Sequence, residues 1–130
     1  MQDILDHIGF PVTDYGRSMA FYKAVLAPLG ISLMKEYNLS DDGTDGYAGF
    51  GRTRPQFWIG TGKGLSGSLH VAFAAKSRDE VISFYNAALA AGAKDNGAPG
   101  LRPHYHANYF GAFVLDPDGH NIEAVTHLPD

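Results

Sequence analysis

The chain has 130 residues, 45% of them apolar and 18% charged, which suits one globular domain and is too short for two ordinary ones. A formal net charge of −4 leaves no basic footprint for nucleic acid, and the lack of cysteine removes disulfides, thiolate metal ligands and a thiol nucleophile. The opening "MQDILDH" is acidic and no long apolar segment follows, so a cytoplasmic protein with no membrane partner is expected.

In chain order, "LDHIGFPV" (5–12) alternates as a strand, and "SMAFYKAVLAPLG" (18–30) carries helical spacing through Met19, Tyr22, Val25, Leu26 and Leu29, ending near Pro28. Strand-like runs follow in "GISLMKEYN", "YAGFGR" and "QFWIG". "DDGTDG" (41–46) is only superficially a calcium loop, because Arg52 stands where an EF-hand needs Glu; an acidic surface loop is expected. After the Gly-rich stretch 60–67, "SLHVAFAA" (68–75) again reads as a strand. A helix follows, with Val81, Phe84, Tyr85, Ala88 and Leu89 on one stripe, a Ser77/Glu80 capping box and Gly92 at its end. "GAKDNG", "YFGAFVLD" and "NIEAVTH" complete the series, the last two joined by the tight turn Asp116-Pro117-Asp118-Gly119.

These segments repeat. His7 falls on His70, Phe21-Tyr22 on Phe84-Tyr85 and Leu26 on Leu89, and in each case the offset is 63 residues. The fold expected is α+β, a single domain over 1–130 made of two βαβββ modules at about 1–62 and 66–130. Their two small sheets would form a curled, half-barrel-like mixed sheet, helices on one side and an enclosed face on the other.

Strand alternation places chemistry on that inner face. Ile8, Phe10 and Val12 point to the helix side, leaving His7 and Gly9 opposite. Val71 and Phe73 leave His70 and Ala72; Ile122 and Ala124 leave Glu123. A lone strand histidine is more often structural. Here three strands each offer a metal-capable side chain beside small residues, and a carboxylate enclosed there needs a cation. Two histidines and a carboxylate form a facial triad suited to Fe(II), Zn(II), Mn(II) or Ni(II), with open positions for substrate or water.

At "DHIGFPVTDYGRSMAFYKAVLAPLG", "HVAFAA" and "FVLDPDGHNIEAV" the chain resembles the vicinal oxygen chelate superfamily over nearly its whole length. That group includes glyoxalase I, extradiol dioxygenases, and fosfomycin- and bleomycin-resistance proteins. The resemblance implies metal ligands at His7, His70 and Glu123. The last strand of the first module carries no acid: Trp58 takes the place of a second carboxylate, and no histidine lies between His7 and His70 to match the extra catalytic histidine of extradiol enzymes. The bleomycin-binding branch, in turn, lacks metal ligands.

The function expected is a divalent-metal-dependent, glyoxalase-like lyase or isomerase acting on a small oxygen-chelating substrate. The alternatives are an extradiol-type dioxygenase, or a non-catalytic resistance module holding an aromatic ligand. "RPHYHANY" (102–109) supplies further candidates. Tyr109, His104 and His106 join Glu123 as acid/base residues, and Trp58, Tyr105 and Arg102 as substrate-binding ones. His120 and His127 are expected to face solvent, as are Arg52 and Arg54. A homodimer is expected, because two short modules leave apolar surface to cover.

Overall fold

The computed structural model describes residues 4–130; the first three residues of the N-terminal module, and with them part of the opening segment, lie outside the described residues. The elements are β1 (Ile8–Val12), α1 (Tyr15–Leu26), β2 (Ser32–Asn38), β3 (Gly46–Gly51), β4 (Phe57–Thr61), β5 (His70–Ala74), α2 (Arg78–Ala90), β6 (Lys94–Leu101), β7 (Phe110–Leu115) and β8 (Asn121–Thr126). They form two four-stranded mixed sheets, ordered β1-β4-β3-β2 and β5-β8-β7-β6. In each, the first strand runs parallel to the last and the other pairings are antiparallel. The sheets do not close into a barrel. Among the described residues no helix is long and apolar enough to cross a membrane.

The helices start and stop where local chemistry dictates. Asp14 caps α1 by accepting the Arg17 N–H, and α1 passes into a 3-10 turn over Ala27–Leu29 that contains Pro28. Gly30 then takes φ +73°, a left-handed conformation that favours glycine. Ser77 caps α2 by accepting the Glu80 N–H, while Glu80 reaches back to the Lys76 N–H, one residue earlier than a standard capping box. The buried stripes differ slightly from the spacing argument. Ser18 and Phe21 are buried on α1 where Met19 is only partly so, and Leu89 of α2 is exposed, because the buried face of α1 is turned toward Ser18 and Phe21 and that of α2 is centred on Val81, Phe84 and Ala88.

One core holds both modules. Phe57 packs edge-on against Phe73 at 5.0 Å, and α1 touches α2. The buried Tyr22 of α1 donates its hydroxyl to Asp116 Oδ2 at 2.5 Å, while Asp116 Oδ1 accepts the N–H groups of Asp118 and His120. This arrangement corrects the expectation for His120. It is 4% exposed and packs on Phe10, because the Asp116 carboxylate folds the turn inward against β1. The faces turned away from the helices carry exposed residues, Gly9 and Tyr47 on the first sheet and His70 and Ala72 on the second.

Burial, followed by the Asp116 and Asp118 carboxylates, pushes the Tyr22 phenol well above its ordinary value. The folded protein thus keeps a proton that an unfolded tyrosine loses above about pH 10. Stability is full below that pH and falls as pH rises past it, by up to about 1.4 kcal/mol per pH unit for this group. Urea midpoints measured at pH 8 and at pH 11 are expected to show the fall. In Tyr22→Phe the pH 8 midpoint drops, because Asp116 loses its donor, and the alkaline decline becomes shallower.

Candidate functional site

On the second sheet, alternation along β5 leaves His70, Ala72 and Ala74 exposed while Val71 and Phe73 are buried. Glu123 stands opposite Ala72 on β5 and opposite Phe113 on β7. It is fully buried, yet both carboxylate oxygens have partners: His70 Nε2 lies 2.8 Å from Oε1, and the Tyr109 hydroxyl donates to Oε2. His70 remains half exposed, so this pair is reached from solvent through the imidazole. Gly111 leaves room for the Tyr109 side chain to lie beside Glu123. A Cβ there would lie 3.1 Å from Glu123 Oε2 and 3.2 Å from the Tyr109 ring.

Burial and the Glu123 bond both raise the Tyr109 pKa, so the side chain remains a phenol and acts as a donor. In that state its hydroxyl donates to the Glu123 carboxylate. Tyr109→Phe would leave Oε2 buried without its donor, at a cost of about 1–3 kcal/mol. Urea unfolding of the two proteins checks that drop.

The cavity above the pair has a volume of about 370 Å³, and its walls include His70, Tyr105, His106, Tyr109, Glu123 and His127. His106 Nε2 lies 2.6 Å from His127 Nδ1 with the rings stacked. His127 was expected to face solvent. It is exposed, but it also walls the cavity and pairs with His106. A signal was present: Glu123, Val125 and His127 follow the two-residue period of β8, and the Phe110↔Thr126 register, carried one step further, sets Tyr109 against His127.

The open face of the first sheet is aromatic. Trp58 stands opposite Gly9, as Glu123 stands opposite Ala72, so it occupies the equivalent place in the repeat. Its ring lies over Gly49, where a Cβ would come within 2.7 Å. Tyr37 stacks on it at 6.4 Å and Tyr47 lies at 6.2 Å. His7, Gly9, Tyr47, Trp58 and Gly60 border a cavity of about 630 Å³ on this face.

The predicted ligands are only partly brought together. His70 and Glu123 meet, whereas the exposed His7 precedes β1 on the other sheet and bonds through Nδ1 to Asp6 at 2.7 Å. That bond, and then the Arg54 guanidinium, hold the Asp6 carboxyl below its ordinary value. His7 and His70 both border a cleft of about 330 Å³ between β1 and β5, but Glu123 does not. Among the described residues no three His, Asp or Glu side chains gather closely enough to share a cation.

Residues 4–124 match the family model of the Glyoxalase/Bleomycin resistance protein/Dioxygenase superfamily. The chain belongs to this superfamily. Its fold is also that of solved superfamily structures. A glyoxalase/bleomycin resistance protein from Albidiferax ferrireducens is 27% identical with a TM-score of 0.79, over 95% of this chain and 98% of that one. A mutant of the fosfomycin resistance protein FosX from Listeria monocytogenes, complexed with Mn(II) and a dihydroxypropylphosphonic acid, is 20% identical with a TM-score of 0.68, covering 96% and 90%. A glyoxalase I mutant from Zea mays is 21% identical with a TM-score of 0.66, covering 97% of this chain and 46% of that one. No curated protein matches the chain by sequence search. The superfamily thus includes both enzymes and resistance proteins.

Within this superfamily fold, the other predicted residues separate clearly. Tyr105 and His106 wall the Glu123 cavity, while His104 packs on Tyr105 at 4.3 Å and is not brought to it. Arg102 spends its guanidinium on the carbonyls of Gly100 and Ala98 and lies 5.3 Å over Phe113, holding the base of the loop. Arg52 donates to Leu29 O and Ala74 O, and Arg54 to Asp6 O, so both are exposed residues with structural partners. In the 41–46 loop, Asp42 Oδ1 accepts from Ser40 and from Thr44 N–H and hydroxyl, closing a turn.

Proposed function

We propose that this protein is a divalent-metal-dependent, glyoxalase-like enzyme of the lyase or isomerase type, acting on a small substrate with two chelating oxygens. The observation that carries this reading is the fully buried Glu123 carboxylate with His70 Nε2 at 2.8 Å, on a sheet face open to solvent. A buried carboxylate is costly unless paired, and a neutral imidazole offsets little of its charge. The donor set fits a cation: one nitrogen and one oxygen converge, and both residue types serve Fe, Zn, Mn or Ni.

The third ligand in this reading is His7 from a second copy of the chain. Several features support that choice. The chain's own His7 precedes β1 on the other sheet and does not border the Glu123 cavity, and β1 and β5 are both edge strands. Exposed Tyr37, Tyr47 and Tyr105 on the open sheet faces leave apolar surface for a partner to cover. A homodimer that opposes the two kinds of face sets Trp58 and Tyr47 across the cavity from Glu123, where they shelter the substrate from water.

A divalent ion held there would polarise the substrate oxygens as a Lewis acid and stabilise the charge that develops on them. Glu123 is the carboxylate of this cavity and takes the proton role, its orientation fixed by the Tyr109 hydroxyl on Oε2. Metal content tests the reading directly. Protein purified without chelators, or stripped and reloaded, is expected to hold close to one divalent ion per chain. A metal-free protein that refuses Mn(II), Zn(II), Ni(II) and Fe(II) would overturn it.

A second reading, a non-catalytic module binding an aromatic ligand, is favoured by the stacked Tyr37, Tyr47 and Trp58 shelf. Quenching of Trp58 fluorescence by a planar ligand, unchanged after chelator treatment, would select it instead.

A further inference from the structure

We infer that His127 is a substrate-contacting hydrogen-bond donor whose tautomer is set by its neighbours. The inference deepens the reading above and rests on it for the nature of the ligand. Two neutral imidazoles only 2.6 Å apart need one donor and one acceptor, and the local bonds decide which is which. His106 Nδ1 accepts the backbone N–H of Asn108 at 3.1 Å, so it carries no proton of its own. The proton of neutral His106 therefore sits on Nε2, which faces His127 Nδ1. His127 Nδ1 is then the acceptor, and the proton of neutral His127 sits on its own Nε2.

His127 walls the same cavity as Glu123 and His70. With Nδ1 engaged by His106, Nε2–H is the donor this ring would offer to a ligand there. His106 is the positioning residue, held by Asn108 and packed edge-on to Tyr109 at 5.6 Å. The loop that carries it is itself closed by bonds from Arg102 N–H to Tyr109 O and from Tyr105 N–H to Arg102 O. A neutral donor in a partly closed cavity selects for an acceptor oxygen: a carbonyl, an enolate or a hydroxamate, and not an ammonium group. The chemical class implied is a small bidentate oxygen ligand that chelates with one part and accepts a hydrogen bond from His127 with another.

Imidazole nitrogen NMR on the metal-free protein at pH 8 reads the tautomers without any ligand. Both His106 and His127 are expected as the Nε2–H form, with His127 losing that preference in His106→Phe and keeping it in His106→Gln, which retains a donor. With Zn(II) present, acetohydroxamate is expected to shift the His127 Nε2–H signal. His127→Phe should weaken acetohydroxamate binding about tenfold, the effect of one hydrogen bond, while His127→Gln stays close to the parent and zinc affinity is unchanged in both. An Nδ1–H form at His127, or equal hydroxamate affinity in His127→Phe, would overturn the inference. Failure of the parent protein to bind zinc would defeat the metal reading alone, since the tautomers are recorded without metal.

Discussion

Glu123→Ala is expected to lower divalent-metal affinity by more than about 100-fold, since in the proposed site it is a direct ligand, whose loss exceeds the 10–100-fold typical of an outer-shell partner. The reason lies in the burial of that carboxylate. It is fully enclosed, and its two oxygens engage His70 and Tyr109. Removing it takes away the anionic donor and leaves Tyr109 with nothing to hold. Glu123→Gln separates these effects: it preserves shape and an acceptor for the Tyr109 hydroxyl, so the fold is kept while the charge is lost. Calorimetric titration of the stripped proteins with Mn(II) measures the affinities, and far-UV circular dichroism checks the fold. Unchanged affinity in both variants would remove Glu123 from the metal site.

Gly51→Ala is expected to cost more than about 3 kcal/mol, a large part of the roughly 5–15 kcal/mol that holds a domain of this size together. A Cβ at Gly51 would sit 1.8 Å from the carbonyl oxygen of Arg54. Backbone is met there, so no rotamer change can relieve the overlap. The segment that would move carries Arg54, whose Nη1 donates to Asp6 O beside His7, and leads into Gln56, whose carbonyl accepts the Ile8 N–H. Gly16→Ala supplies the opposite sign. Nothing but Asp14 Oδ1, at 3.9 Å, is met in the first turn of α1, and replacing a helical glycine gains about 0.5–1 kcal/mol. Urea midpoints of the two variants should fall on opposite sides of the parent.

Much of this was legible in the sequence because strand periodicity and the 63-residue repeat act together. Two-residue alternation placed His70 and Glu123 on one face, and the register delivers that pairing. The repeat also identified Trp58 as the counterpart of Glu123, which the Gly9↔Trp58 and Ala72↔Glu123 pairs reproduce. What escaped depends on how separate elements meet. Alternation says which way His7 points on its own sheet but not what it meets across the cleft, and within the chain His7 borders a cleft with His70 that Glu123 does not line. His120 was misplaced because burial of the turn follows from the Asp116 side chain collecting two N–H groups and the Tyr22 hydroxyl, a contact spanning most of the chain. The β8 period puts His127 on the Glu123 face, but its pairing with His106 joins a strand end to a loop 21 residues earlier, which that period does not encode.

Mixed dimers test most directly the proposed metal centre completed between two copies. His7→Ala and Glu123→Ala each destroy every site in their own homodimer. Unfolded together and refolded, the two variants also form a mixed dimer that keeps one intact site: His7 from the Glu123→Ala chain, with His70 and Glu123 from the His7→Ala chain. Metal bound by the refolded mixture is the measurement. Neither variant is expected to hold metal alone, and the mixture is expected to regain one ion per mixed dimer. A mixture as empty as its two components, from variants that do form mixed dimers, would contradict it.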